Sequence, residues 1–296
     1  MRVGQAELTA IIEIDAVPTP AAVFSDGLDL AFAAQYADAL FPDHIDPASG
    51  NAMLSHHSWL LQANGLNVLV DPCVGNDKPR SNPVIAQYDM LDTPWLERLA
   101  ATGVRPEDID VVVCTHLHPD HCGWNTRLVD GRWVPTFPNA RYILSSTEVA
   151  FWEGFEAEPD RHPEVAFNIG VFTDSVRPVI DAGLATMAEH GYAPAPGLSL
   201  MATPGHTAGH CALLYADDLD GICFAGDVFH TPLNVLLPDL GGMPGLNHDS
   251  ATAAISRRAV LDHCVETAHL LAPGHFQAPH CCRVGLTPTG NYTITW

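Results

Sequence analysis

An α/β (α+β) fold is predicted by three features of the chain. Short apolar strands alternate with helical stretches, polar loops rich in Gly, Pro, Asn and Asp separate them, and no repeat or low-complexity tract interrupts the pattern. With 296 residues the chain is long enough to bury a real core. It is read as a single domain over 1–296, with a core over about 50–280 and an N-terminal extension over 1–49. A helix is expected near 28–40. Two strands follow, Met53–Ala63 and Val68–Val70, joined by Asn64-Gly65, a dipeptide that suits a tight hairpin turn. A loop over 72–93 leads to a helix near 94–102 and then to the short buried strand Asp110–Cys114. A strand at 141–145 precedes helices between 146 and 190. Strands near 198–202, 211–215 and 222–225, a helix near 249–265 and a strand over His269–Ala272 complete the order.

Charge narrows the function classes. Thirteen basic against thirty-five acidic side chains give a net charge of −22. Such a surface repels phosphate backbones and anionic lipid, so neither nucleic acid nor membrane is an expected partner. No stretch approaches the roughly 20 apolar residues of a membrane span, and the N-terminal MRVGQAELTAIIEID lacks the basic start and long apolar run of a signal peptide. The eight cysteines form no C-x-x-C pair, and Cys114, Cys211 and Cys223 lie in apolar, strand-like runs. They are read as reduced core residues of a cytoplasmic protein.

The chemistry is concentrated where strands end. Directly after the strand 110–114, the segment Thr115-His116-Leu117-His118-Pro119-Asp120-His121-Cys122-Gly123 carries H-x-H-x-D-H, three imidazoles and a carboxylate within six residues. A lone histidine is usually structural, but this density has no structural purpose. Zinc prefers nitrogen donors with some oxygen, and a catalytic site keeps one position open. Further metal-capable residues follow later strands: His206, Asp227 and His275. A layered sheet would gather all of them along one edge, where strand ends hold ligands rigidly and loops vary.

The H-x-H-x-D-H pattern after an apolar strand resembles the signature of the metallo-β-lactamase superfamily, and three more motifs follow in its order. Thr203-Pro204-Gly205-His206-Thr207-Ala208-Gly209-His210 resembles T-P-G-H-T-x-G-H, Gly226-Asp227 resembles the family's G-D, and Pro273-Gly274-His275-Phe276 resembles its closing histidine. The similarity covers about residues 50–280 and implies a four-layer αββα sandwich. It also implies two divalent metal ions, zinc first, with iron, manganese or cobalt as alternatives. By the resemblance, one metal takes His116, His118 and His206, and the other takes Asp120, His121 and His275, with Asp227 bridging. A metal-bound hydroxide formed at neutral pH then serves as nucleophile, and the metals hold the developing oxyanion. His210 is expected to support the site rather than bind metal. Asp71 is either an orienting partner for a ligand imidazole or an ordinary strand-ending residue. Of His56 and His57, adjacent in a strand, at most one can face the metals.

A bridging-type Asp227 implies the binuclear hydrolases of the superfamily over the true β-lactamases. The segments Asp71-Pro72-Cys73-Val74-Gly75-Asn76-Asp77-Lys78-Pro79-Arg80 and His121-Cys122-Gly123-Trp124-Asn125-Thr126 resemble a group near the lactonases and methyl-parathion-type hydrolases. Quorum-quenching lactonases commonly place a tyrosine three residues after the bridging aspartate, where this chain has His230. That histidine is read as a proton donor beside the catalytic Asp120 and Asp227. Trp124, Phe229 and the loop 233–246 are read as an apolar pocket wall, and residues 146–195 as a candidate cap. The expected substrate is a small, uncharged, partly apolar lactone or ester. Phosphotriester hydrolysis or hydrolytic aryl dehalogenation is the alternative on the same site, with iron-dependent oxidoreduction behind both. The resembling enzymes imply a homodimer.

Overall fold

In the computed structural model, which describes residues 1–24 and 29–296, two β-sheets pack face to face with helices on their outer sides. The chain runs through β1 (Arg2–Val3), β2 (Ala6–Pro20), β3 (Asn51–Ala63), β4 (Leu66–Val70) and β5 (Val111–Val113). A separate hairpin of β6 (Thr126–Val129) and β7 (Arg132–Pro135) comes before β8 (Arg141–Ser145) and β9 (Ala185–Ala188). The first sheet has the order β1-β2-β3-β4-β5-β8-β9. The second holds β10 (Leu198–Ala202), β11 (Cys211–Ala216), β12 (Gly221–Gly226), β13 (Leu270–Pro273), β14 (Cys282–Leu286) and β15 (Tyr292–Thr295), paired in that order. The helices among the described residues include α1 (Leu30–Ala33), α2 (Ala37–Leu40), α3 (Trp95–Ala101), α4 (Pro119–Cys122), α5 (Ser146–Ala157), α6 (Arg177–Asp181), α7 (Leu233–Leu236) and α8 (Ser250–Thr267).

Period-two alternation along the strands divides the core into layers. Leu61, Val68, Val70, Val111, Val113 and Ile143 of the first sheet meet Leu213, Tyr215, Ile222, Phe224 and Ala272 of the second. Their neighbours on the opposite face, Leu60, Leu69, Val112 and Tyr142, pack instead against Trp95 and Leu99 of α3 and Val149, Trp152 and Phe155 of α5. On the far side, Cys223, Ala225 and Leu271 are covered by Val260, Leu261 and Cys264 of α8. The result is the predicted αββα sandwich. All eight cysteines are buried and free, and no helix among the described residues is long and apolar enough to cross a membrane.

Several regions depart from the sequence reading, which placed no element at the hairpin β6–β7 or at the closing strands β14 and β15. Strand β2 lies where no element was expected, pairing with β3 from Glu7↔Gln62 to Pro20↔Asn51. Two irregularities, between Ile12 and Ile14 and between Ile14 and Val17, together with Pro18 and Pro20, break the alternation that would have revealed it. Within 146–190, expected to be helical, Ala185–Ala188 is an edge strand parallel to β8, and its Ala-Thr-Met-Ala sequence carries little strand propensity. The helix expected near 28–40 is two single-turn helices, α1 and α2, split by a 3-10 turn over Ala34–Tyr36; position 28 lies outside the described residues.

Parallel pairing places the site. Strands β4, β5 and β8 run parallel in the first sheet, and β12 and β13 in the second. Their C-terminal ends release Asp71, the 115–121 segment, Asp227 and His275 at one edge, where loops in α/β sheets commonly bind ligands.

Candidate metal centre

The H-x-H-x-D-H segment turns sharply after β5. Pro119 opens α4, so Asp120 and His121 leave the strand direction on a single helical turn. Across the sandwich, Gly226 (φ +48°) lets β12 bend into Asp227, and a Cβ there would lie 2.4 Å from Thr115 Oγ1. The two ligand segments can therefore approach only because this residue is glycine.

Seven of the predicted donors converge. The Nδ1 of His118 lies 3.1 Å from His116 Nε2 and 3.0 Å from His206 Nε2. Nearby, His121 Nε2 and His275 Nε2 are 3.3 Å apart. The Oδ2 of Asp120 is 3.5 Å from His275 Nε2 and 3.8 Å from His121 Nε2. Asp227 sits between the groups. Its Oδ1 is 3.2 Å from both His121 Nε2 and His275 Nε2, and its Oδ2 is 3.5 Å from His206 Nε2 and 3.9 Å from His116 Nε2.

The outward bonds of the rings decide which nitrogen faces inward. His121 Nδ1 donates to Asp71 Oδ2 (3.0 Å), and His275 Nδ1 donates to the Ser55 carbonyl (3.1 Å). Thr115 Oγ1 gives its proton to Asp71 Oδ2 (2.8 Å), so it accepts from His116 Nδ1 (3.1 Å). Asn247 Oδ1 accepts from His206 Nδ1 (3.3 Å). As a neutral imidazole, each of these four rings thus turns an unprotonated Nε2 towards its neighbours. Lone pairs converging at about 3 Å repel unless a cation lies among them, and Asp227 Oδ1 is buried without a hydrogen-bond partner among the described residues. The donor set therefore fits metal binding, and groups of three from it lie within 4.8 Å of one another.

Electrostatics split the cluster. Burial and neighbouring imidazoles push His116 and His206 well below the ordinary histidine range, and burial takes His118 to about 4. Burial also opposes charge on His121 and His275, but the carboxylates of Asp227 and Asp120 outweigh it and hold both above the ordinary range. The converse holds for Asp120 and Asp227, which burial would raise and the surrounding histidines keep low.

Beside the donors opens a cavity of about 320 Å³, lined by His118, Asp120, Asp227, His230 and His275 at its polar end and by Phe24, Phe167, Met243 and Leu246 elsewhere. His230 Nε2 is 3.2 Å from Asp227 Oδ2, and its ring stacks on Phe24 at 5.0 Å. Two expected wall residues are elsewhere. Trp124 is buried, stacks on Trp95 at 5.3 Å and donates to Glu13; Phe229 is fully buried in the layer under α8. Each stands on a tight turn beyond its neighbouring donor, and the turn directs the side chain into the layer beneath instead of into the cavity. From the segment 146–195, Glu164 and Phe167 reach the cavity, while Val149, Trp152, Phe172 and Val176 pack as the outer layer.

His210 donates from Nδ1 to Thr203 Oγ1 (2.8 Å) and accepts the Asp227 backbone N–H on Nε2 (3.2 Å), so it supports the site and offers it no donor. His56 and His57 face opposite ways. His56 Nε2 lies 3.5 Å from Asp120 Oδ2, whereas His57 pairs with Ser55 Oγ and packs on Trp59 and His280. Sequence reasoning missed Tyr88, whose hydroxyl is 2.5 Å from His56 Nε2 and 3.3 Å from Asp120 Oδ2. It lies in the irregular 72–93 loop, where no periodicity signals orientation. Asn247 and the Ser55 carbonyl were equally silent.

A four-layer αββα fold with histidines and aspartates gathered at the strand ends defines a metallo-β-lactamase-type protein, and the family comparison agrees. Residues 53–263 match the model of the metallo-beta-lactamase superfamily, to which this chain belongs. Among curated proteins it is similar to metallo-beta-lactamase domain-containing protein 1 of Xenopus laevis, with 29% identity over 195 residues, 63% of this chain and 65% of that one. The chain spans less than two thirds of the length of the curated relatives it matches. Its structure resembles a hydrolase, AbOPH (TM-score 0.78, 21% identity, 99% of this chain and 95% of that one). It also resembles AidC, a dizinc quorum-quenching lactonase in complex with its product N-hexanoyl-L-homoserine (TM-score 0.73, 18% identity, 100% and 95%).

Proposed function

We propose that this chain is a binuclear, zinc-dependent hydrolase of a lactone or carboxylic ester carrying an apolar substituent. The observation that carries the reading is the convergence of His116, His121, His206 and His275 on Asp227, with His118 and Asp120 beside them, at the polar end of a largely apolar cavity. In this reading, which follows the family resemblance, one cation takes His116, His118 and His206 and the other Asp120, His121 and His275, with Asp227 shared. When bound, such cations lower the pKa of a water molecule and polarise a carbonyl oxygen. Zinc suits this mixture of imidazole and carboxylate; iron, manganese and cobalt are the other candidates.

The chain's own residues supply position and a hydrogen bond. Phe24, Phe167, Met243 and Leu246 take the apolar substituent and keep water from the reacting carbonyl. His230 reaches the same space from beside Asp227, with Phe24 fixing its ring plane; burial lowers its pKa, so the neutral ring offers the leaving oxygen a hydrogen bond from Nε2–H while water supplies the proton. The similarity to a dizinc lactonase supports the carbonyl substrate. The test is a matched panel of lactones, aryl esters, phosphotriesters and chloroaromatics, assayed with zinc-loaded protein before and after chelation. Lactone or ester rates at least about a hundredfold above the rest, abolished by chelator, are expected. Background rates on both, with a clear phosphotriester or chloroaromatic signal, would overturn the substrate class.

A further inference from the structure

Glu148 lies in the first turn of α5, 1% exposed, and is no part of the donor set. A buried carboxylate needs several donors to be tolerated, and the four it has come from three places. Its Oε1 accepts from the Leu117 backbone N–H (3.1 Å) and from Trp152 Nε1 (2.6 Å). Its Oε2 accepts from Thr207 Oγ1 and from the Gly209 backbone N–H, both at 2.8 Å. Leu117 is the residue between His116 and His118, while Thr207 and Gly209 flank the turn that follows His206. One carboxylate therefore ties together the two loops, 88 residues apart at His118 and His206, that form the three-histidine half of the site.

Two further observations show that the junction is built tightly. A Cβ at Gly209 would lie 2.2 Å from the Glu148 backbone nitrogen, so the His206 loop touches the start of α5 directly. Trp152, one turn along the same helix, donates to Glu148 and sets its ring edge against His118 at 5.5 Å. We infer that Glu148 is a positioning residue for the three-histidine subsite, fixing the distance between the His116/His118 loop and the His206 loop without touching a donor nitrogen. The inference rests on the metal reading proposed above.

The substitution Glu148→Gln shows why the charge matters. Leu117 and Trp152 present N–H groups that can only donate, so the amide oxygen of the substituted side chain must face them. Its NH2 group then meets Thr207, whose hydroxyl can turn to accept, and the Gly209 N–H, which cannot. Glu148→Gln should release the His206 loop while leaving the His116/His118 loop tied.

A comparison carboxylate exists elsewhere in the fold. Glu13 is also buried and accepts from Val74 N (2.6 Å), Gly75 N (3.3 Å), Trp124 Nε1 (2.7 Å) and Thr93 Oγ1 (3.0 Å), none of them in the three-histidine loops. Both glutamates hold structure together; only Glu148 is placed to set metal affinity.

The experiment is a competitive zinc titration of the full chain against a chromophoric chelator, in a His275→Ala background that isolates the three-histidine subsite, with melting temperatures recorded in parallel. Glu148→Gln is expected to weaken that subsite about ten- to a hundredfold, and Glu13→Gln to lower the melting temperature while leaving affinity within twofold, roughly the error of such a titration. Thr207→Val, which removes one of the four bonds, should give a smaller loss in the same direction and carries the test if Glu148→Gln does not fold. Unchanged zinc affinity in a folded Glu148→Gln or Thr207→Val protein overturns the positioning role alone. Absence of zinc from the wild-type chain overturns the metal reading and this role with it.

Discussion

In the half of the site built on His116, His118 and His206, the rings lean on neutral partners, Thr115 Oγ1 and Asn247 Oδ1, and their positions come from how two loops are tied. In the half built on Asp120, His121 and His275, a carboxylate meets an imidazole at nearly every contact, with Asp71 behind His121 and Tyr88 beside Asp120. The first half is thus organised by backbone geometry and the second by charge. Asp227 belongs to both, since its oxygens lie within 4 Å of donors on each side. The difference teaches that the halves should respond to different substitutions even though they share one cavity.

The contrast can be broken most directly at its common member. Asp227→Ala removes the shared carboxylate, and turnover should fall at least about a hundredfold with loss of one or both metals; circular dichroism checks that the fold remains. Full activity in that variant would remove the two-metal arrangement. His230→Ala should slow turnover on the order of a hundredfold while elemental analysis still finds both metals. Unchanged turnover would make it a packing residue against Phe24.

Asp71→Asn sharpens the comparison from the charged side. It removes the anion behind His121, so metal affinity in that half should drop roughly ten- to a hundredfold, while the three-histidine half, which meets Asp71 only through Thr115, should lose less. Equal losses in both halves, measured by competitive titration, would mean that the division is not real. The smallest effect is expected at the apolar end of the cavity. Leu246→Ala should raise KM for long-chain substrates roughly three- to tenfold, with kcat little changed, because only part of that side chain is removed from water. A matching loss on substrates without an apolar tail would place Leu246 outside the binding surface.

How much was legible in the sequence follows the same division between local and long-range signals. The donors lie in contiguous motifs, and H-x-H-x-D-H or T-P-G-H can be read because the residues that act together also stand together. Strands β3, β5, β8 and β10 were visible as apolar runs ended by polar residues. Strand β2 was not, because its bulges and prolines break the period. Tyr88, Asn247 and Glu148 are brought to the site by tertiary folding from irregular loops or a helix face, and a single tyrosine or glutamate carries no pattern. Trp124 and Phe229 show the opposite error, since proximity in sequence to a ligand says nothing about which way a side chain points. The alternation argument for His56 and His57 held because strand geometry leaves it no freedom.

The measurement that bears most directly on the binuclear reading is metal content per chain, taken on protein reconstituted with zinc and dialysed, for the wild type and for His275→Ala. About two equivalents are expected for the wild type and about one for the variant, with hydrolytic activity lost in step. One equivalent or none in the wild type, or two retained in the variant, would contradict the division of Asp120, His121 and His275 from His116, His118 and His206.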